Sequence, residues 1–332
     1  LDVGATSVKV ARLEHGPGGA TLLGLAIAEL DGRGGRPTDG PQVNAKADAI
    51  RAALTRSGAD PGRSAHVVTA VGGAGVSIKH VAFPRMSRSA LAESIHWEAR
   101  KHVPFGESDF ILDFQILDET SPEDNGEMQV LLAAVEAELV DKHIADLAAA
   151  GVEPDAVDLV PLALMNEVDE EGLLDGETLA VVDVGVSNIN LAIHRRGGLF
   201  FSRTVPLLVG RFPGGNHGNA AGTRPPVGGP VGGEGGHAAD DGGAWRQVAL
   251  SEIRRSLTFY NNETGKKGID RMYLTGGRAL VPGIAAELSE ELGIATEVLD
   301  PLAKVERSAS DISHLSAQGP RFALAMGLAR RT

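Results

Sequence analysis

The residues with chemical potential begin at the start of the chain. In Leu1-Asp2-Val3-Gly4-Ala5-Thr6-Ser7-Val8-Lys9 an apolar strand ends in an aspartate, a glycine turn follows, then hydroxyls, then a second strand carrying a lysine. The rhythm returns in Asp183-Val184-Gly185-Val186-Ser187-Asn188-Ile189-Asn190. Asp2 matches Asp183, Gly4 matches Gly185, Thr6 matches Ser187 and Val8 matches Ile189. Gly4 and Gly185 lack a Cβ, so the backbone can approach a ligand closely. Successive turn N–H groups form an anion-binding concavity. Thr6, Ser7 and Ser187 add hydroxyl donors, and Lys9 adds a point charge suited to a phosphate. Asp2 and Asp183, at the strand ends, suit a Mg²⁺ ion held through its waters. A third glycine turn follows the strand Arg271-Met272-Tyr273-Leu274-Thr275. There Gly276 and Gly277 would let a flat ring or ribose lie against the backbone, beside a helix expected to run through Glu291. A single D-x-G turn is an ordinary hairpin. Two copies and a late Gly-Gly turn together are specific.

The elements that must position these turns can be read from periodicity. Residues 1–13 form a first hairpin, 21–30 a third strand, 44–57 a helix and 65–71 a short strand. Residues 32–41, rich in Gly, Pro and Arg, are a loop. From residue 76 the pattern shifts to strand, helix, two paired strands and helix, a self-contained unit ending at Gly151. Ser87 is placed to cap its first helix. Residues 152–160 return to the first half, and Pro161 opens a helix. The second hairpin and its third strand, 199–205, come next. Residues 245–261 are a helix with Val248, Leu250, Ile253 and Leu257 inward, 296–299 a strand, and 321–330 a short terminal helix. That last helix is apolar on nearly all sides and is expected to be buried rather than membrane-bound.

Composition narrows the function classes. The chain has 332 residues, enough for two cores, and a formal net charge of −13. An acidic chain without basic clusters does not suit sequence-independent nucleic-acid binding. With no cysteine, disulfides, thiolate nucleophiles and Cys-ligated zinc are excluded together. No apolar run is long enough to span a bilayer, and no signal peptide is visible. Residues upstream of Leu1 are expected to have been lost. Residues 210–243 hold Gly, Pro, Ala, Asn and Asp with few apolar side chains, and are expected to be a disordered loop. His217, His237, Asp240 and Asp241 lie in it and are not expected to bind metal, lacking a fixed outer shell of partners.

Two D-x-G hairpins with a late Leu-Thr-Gly-Gly turn resemble the actin, Hsp70 and sugar-kinase fold. Within that fold the chain resembles the PilM family, actin-like cytoplasmic proteins of type IV pilus assembly, and more distantly FtsA. The specific match is Ile95-His96-Trp97-Glu98-Ala99, Val103-Pro104-Phe105 and Leu112-Asp113-Phe114-Gln115-Ile116-Leu117. The resemblance implies an α/β fold: an actin-like (ribonuclease H-like) two-domain fold with an inserted α+β subdomain of FtsA/PilM type. Residues 1–75 and 152–177 would form the first domain, 76–151 the insert and 178–318 the second domain. Residues 206–244 would replace most of the second domain's helical subdomain, and 319–332 would form a crossing helix.

The resemblance also implies ATP and Mg²⁺ between the domains. Phosphate contacts carry over to Gly4, Ala5, Thr6, Ser7 and Lys9, and to Gly185, Ser187 and Asn188. Asp2 and Asp183 become the magnesium-side carboxylates, and Gly276, Gly277 and Arg278 flank the adenosine. Because the Gly-rich run stands where an adenine wall would be, binding is expected to be weak or absent. Asn166 and Asp158 are the only candidates for orienting water, so hydrolysis is expected to be slow or absent. The implied partner is the N-terminal cytoplasmic tail of a PilN-like inner-membrane protein, held in a groove between first domain and insert. Phe83, Ile95, Trp97, Val103 and Phe105 are the candidate groove walls. A homo-oligomer or ring and pilus motor or platform proteins are further expected partners, and the location is cytoplasmic, peripheral to the inner membrane. The alternatives are a small-molecule kinase or a filament-forming ATPase of the same superfold.

Overall fold

The computed structural model describes residues 1–17, 19–30, 45–60, 66–118, 126–170, 172–173, 177–195, 198–207, 243–263, 268–307 and 313–331. The expected loop at 32–41, nearly all of the Gly-rich run and its histidines and aspartates lie outside these residues.

The first half opens with β1 (Asp2–Val3), β2 (Ser7–Gly16) and β3 (Gly19–Glu29), then α1 (Ala45–Ser57) and β4 (Val68–Val71). Next come β5 (Val76–Pro84), α2 (Arg88–Ala99), β6 (Phe110–Asp118), β7 (Glu127–Glu136) and α3 (Ala137–Ala149). The chain continues through β8 (Ala156–Leu159), α4 (Val160–Glu170), β9 (Leu179–Val184), β10 (Asn188–Arg195), β11 (Gly198–Pro206) and α5 (Ala244–Glu263). It ends with β12 (Arg271–Thr275), α6 (Ile284–Leu292), β13 (Ala295–Val298), β14 (Glu306–Arg307) and α7 (Ala323–Ala329).

The second half forms one sheet in the order β11-β10-β9-β12-β13. Its centre is β9, Leu-Ala-Val-Val-Asp-Val, buried at every position but Asp183, as expected of a strand covered on both faces. Helix α5 buries Trp245, Ala249, Ile253, Ser256, Leu257 and Tyr260 against this sheet, a single helical stripe. The first half repeats the plan. Strands β1, β2 and β3 pair antiparallel and β4 pairs parallel with β8. β4 abuts β1, where the Leu1 amino group meets the Val68 carbonyl at 2.8 Å. The short strand β14, which periodicity missed, adds to the outer edge of β3 over two residues.

The unit between β4 and β8 forms its own sheet in the order β5-β7-β6. Ser87 caps α2 by accepting the Ala90 amide, as its position predicts. One face of the sheet packs under α2 through Val81, Phe83, Leu91, Ile95, Met128 and Leu132. The opposite face meets β4 and β8 through Val135, Val71 and Leu159. Strand β5 also reaches β11, where His80 Nε2 donates to the Leu199 carbonyl and the ring lies 5.1 Å from Phe200.

The terminal segment differs from a single helix over 321–330. Ser313–Phe322 winds as a 3₁₀ helix containing Pro320, and α7 begins only at Ala323. Proline lacks the N–H that an α-helix interior needs. Helix α7 is buried along most of its length. It crosses α4 so closely that a Cβ on Gly327 would run into the Ala163 carbonyl. The crossing is fixed by an ion pair, Arg330 Nε to Glu167 Oε2 at 2.8 Å, with both side chains almost fully buried.

Candidate functional site

The two D-x-G hairpins are built with the same backbone bonds. The Gly4 amide donates to the Ser7 carbonyl at 3.0 Å, and the Gly185 amide to the Asn188 carbonyl at 3.0 Å. The Leu30 amide donates to the Thr6 carbonyl at 2.7 Å, and the Leu207 amide to the Ser187 carbonyl at 2.7 Å. Cross-strand register places Asp2 opposite Lys9, and Asp183 opposite Asn190. The sequence repeat is therefore a structural one, with the same backbone bonds at both turns.

The carboxylates differ in their partners. Asp2 is buried, and its Oδ2 takes the Lys9 ammonium at 2.9 Å. Asp183 Oδ2 accepts from the Asn190 amide at 2.9 Å, and Asn190 Oδ1 in turn accepts from Thr204 at 2.9 Å. Burial pushes the Asp183 carboxyl up; the Asn190 bond opposes this, the Asp2 charge adds to the rise, and Lys9 opposes it. The two hairpins border one crevice, linked through the last stretch of the chain: the Gly276 turn lies against Asp183, its amide bonds to the Pro320 carbonyl, and Arg321 reaches Ser7. Asp2 and Lys9 neutralise each other across the hairpin.

The glycine turn after β12 closes the same crevice. Gly276 has φ 88 and ψ 178, a region open essentially to glycine alone. A Cβ there would strike the Asp183 carboxylate and come within 2.7 Å of the Val184 carbonyl. The Gly276 amide donates to the Pro320 carbonyl at 3.0 Å, which also accepts from Thr275 Oγ1 at 2.7 Å. The next residue, Arg321, reaches the first hairpin: Nη2 lies 3.4 Å from Ser7 Oγ and 2.7 Å from Glu29 Oε1. Gly277 heads a short 3₁₀ turn, Gly277–Leu280, rather than the helix directly. The helix itself, α6, starts after Gly283. Arg278 lies over the Trp245 ring at 4.4 Å, so the cation stacks on an aromatic surface.

The donor set fits the expected ligand on its phosphate side. Two carboxylates share the crevice, one of them pushed up by burial, and a cation there would relieve the cost of its charge. Beside them, a Cβ on Gly4 would lie 3.0 Å from the Ser7 carbonyl and 3.3 Å from Lys9 Nζ. Among the described residues no group of three or more His, Asp or Glu side chains forms a protein-only metal site. Asn190 and Arg321 were not singled out by sequence reasoning. Asn190 was within reach, being the counterpart of Lys9 at the same seven-residue spacing. Arg321 was not, because it comes from the far end of the chain.

The candidate groove residues separate. Phe83, Ile95 and Phe105 are 4%, 2% and 7% exposed. Phe83 and Ile95 belong to the core under α2, and Phe105 stacks near Phe110. They cannot wall an open groove as they stand. Trp97 is 80% exposed and Val103 is half-buried. Helix α2 covers the sheet face opposite the one that meets the first half, so Trp97 faces away from that seam. The seam is instead rimmed by partly buried Val76, Ile78, Leu139, Val140, Val157 and Leu162.

Among the described residues no helix is long and apolar enough to cross a membrane. The family described as Type IV pilus assembly protein PilM matches residues 1–210 and 244–332. A solved PilM-PilN type IV pilus biogenesis complex is similar, with 22% identity, TM-score 0.74 and coverage of 99% of this chain and 96% of that one. The ethanolamine utilization protein EutJ from Carboxydothermus hydrogenoformans matches with 13% identity, TM-score 0.44 and coverage of 99% and 87%. The cytoplasmic domain of EpsL, from the type II secretion system of Vibrio cholerae, matches with 10% identity, TM-score 0.43 and coverage of 98% and 96%. The expected α/β, actin-like fold with its FtsA/PilM-type insert is the one observed.

Proposed function

The chain belongs to the PilM family of type IV pilus assembly proteins, and on that premise we propose that it is a scaffold of the pilus assembly platform. It works on the cytoplasmic side of the inner membrane and holds the N-terminal tail of a PilN-like membrane protein. The observation that carries this reading is the family match over both halves and the unit between them. Residues 1–75 with 152–177 act as one actin-like domain, 178–318 as the other and 76–151 as the insert. Residues 319–332 cross between the domains. The tail lies along the seam between β4–β8 and the insert, where Leu139 and Val140 of α3 remain partly open. An extended peptide would bind there through main-chain bonds and a few apolar contacts. Trp97 and Val103 remain as contacts outside the seam.

The crevice between the hairpins binds Mg-ATP weakly. Gly4, Ala5, Thr6, Ser7 and Lys9 face the phosphates from one side, with Gly185, Ser187 and Asn188 on the other. Asp183, with Asp2, orients the waters of Mg²⁺. Gly276, Gly277 and Arg278 take the adenosine side. Asn166 donates to the Gly327 carbonyl, and Asp158 accepts from the Leu159 amide and lies beside Arg331; with both candidates for orienting water engaged elsewhere, turnover is slow or absent.

Calorimetry separates the two parts. The tail peptide should bind with affinity on the order of micromolar, and Val140→Asp should weaken it at least roughly tenfold by placing a charge in an apolar contact. Absence of heat with the tail peptide overturns the scaffold reading. Absence of heat with Mg-ATP overturns only the nucleotide reading.

A further inference from the structure

Strand β6 is an edge. Among the described residues it pairs only with β7, leaving its other side without a strand. Its outer backbone groups are identifiable from one bond: the Phe114 amide donates to the Asp113 side chain at 2.8 Å. A Phe114 N–H committed to the ladder with β7 would not turn to its neighbour's carboxylate. The residues sharing Phe114's orientation, Leu112 and Ile116, therefore also aim their backbone outward. Such an edge invites another strand.

The sequence of β6 is self-complementary about Phe114. Ile111-Leu112-Asp113-Phe114-Gln115-Ile116-Leu117 has the same apolar and polar pattern in both directions. Ile111 and Leu117 are 49% and 38% exposed, although large apolar side chains on a soluble edge are usually covered. An antiparallel second copy centred on Phe114 would bring Ile111 against the partner's Leu117, and Leu112 against the partner's Ile116. Asp113 would face the partner's Gln115 rather than another carboxylate, so no like charges oppose each other across the strands. The Phe114 amide would then donate to the carbonyl of the partner's Phe114, replacing its bond to Asp113. The two three-stranded sheets would become one of six strands, with a two-fold axis that closes the assembly at a dimer.

We propose that the free edge of β6 is a self-association surface, pairing two copies of this chain antiparallel about Phe114. This goes beyond the scaffold reading, since the tail of that reading occupies a seam built from β5, β7 and α3 against β4 and β8, to which β6 contributes no residue. The pairing is weak for two reasons. One strand edge buries far less than a standard interface. In addition, Arg88 lies over the Phe114 ring at 5.1 Å, so two like charges approach each other near the axis. Beyond Ile116 the register against β7 slips, which confines regular pairing to the stretch around Phe114.

The register makes the test specific. Gln115 is exposed, and in the dimer it meets Asp113 twice. Gln115→Lys creates two opposite-charge pairs and should tighten dimerisation roughly five- to tenfold. Gln115→Glu creates two like-charge pairs and should weaken it by a similar factor, again roughly five- to tenfold. Gln247→Lys, an equal charge change at an exposed position on α5, controls for the lower net charge and should change the constant less than about twofold. Sedimentation velocity from low micromolar to several hundred micromolar, in order-of-magnitude terms, reads all four proteins. Opposite shifts for Lys and Glu, with the control unmoved, support the pairing. A monomer at every concentration overturns it. So does equal behaviour of the two lysine variants, or a change in tail-peptide affinity in place of self-association.

Discussion

His194 tests the packing of the second half in one measurement. It is 1% exposed on β10, and neither ring nitrogen has a hydrogen-bond partner. Burial lowers its pKa from 6.5 to about 4. The unfolded chain takes up the proton near 6.5 and the folded protein only near 4, so between those values the unfolded state holds more protons. Folding stability therefore falls as pH falls through that window and is fully present above it. The shift contributes a loss of about 2 kcal/mol between about pH 7 and about pH 5. His194→Leu removes the titrating group and the two unpaired nitrogens while keeping the volume close. The variant should be more stable at neutral pH by about 1–3 kcal/mol. Its advantage over the parent should then widen by the further 2 kcal/mol or so on going to about pH 5. Urea unfolding of both proteins across that range measures the gap, and the His194 ring resonances in the parent should titrate near 4. A gap constant with pH, or a ring that titrates near 6.5, refutes the reasoning.

Three further outcomes follow from the crevice and the helix crossing. Gly276→Ala should lose about 2–3 kcal/mol, because it adds a Cβ at φ 88 against Asp183 and Val184. Gly277→Ala, with nothing within 4 Å of its new Cβ, should be near neutral in the same thermal melt. Lys9→Met should cost about 3 kcal/mol by leaving Asp2 buried and unpaired, and Asp2→Asn/Lys9→Met should recover most of it in a double-mutant cycle. Glu167→Gln should likewise cost about 3 kcal/mol by removing the charge that faces buried Arg330 at the crossing, whereas Glu167→Met/Arg330→Met should restore much of the stability in denaturant titrations.

The sequence alone carried the duplicated hairpin, because a D-x-G turn between strands is a local device. Backbone bonds from Gly4 and Gly185 close the turns within four residues, and no distant contact is needed to form them. The insert's element order was legible for the same reason: alternation in β6 and β7, a serine cap on α2 and Gly151 after α3 are signals within a few residues of each other. Burial was only partly legible. Ile95 and Trp97 are large apolar residues two positions apart on one helix, and nothing in their types says which faces the sheet. The packing of α2 over β6 and β7 placed Ile95 inside and Trp97 in solvent. The crevice itself belongs to the tertiary structure. Asp183, Gly276, Pro320 and Ser7 come from four separated stretches, and their meeting depends on sheet order and on the path of the last helix. Which carboxylate meets the Gly276 turn was decided the same way: β12 pairs with β9, far from it in the chain, and so sets that turn against Asp183.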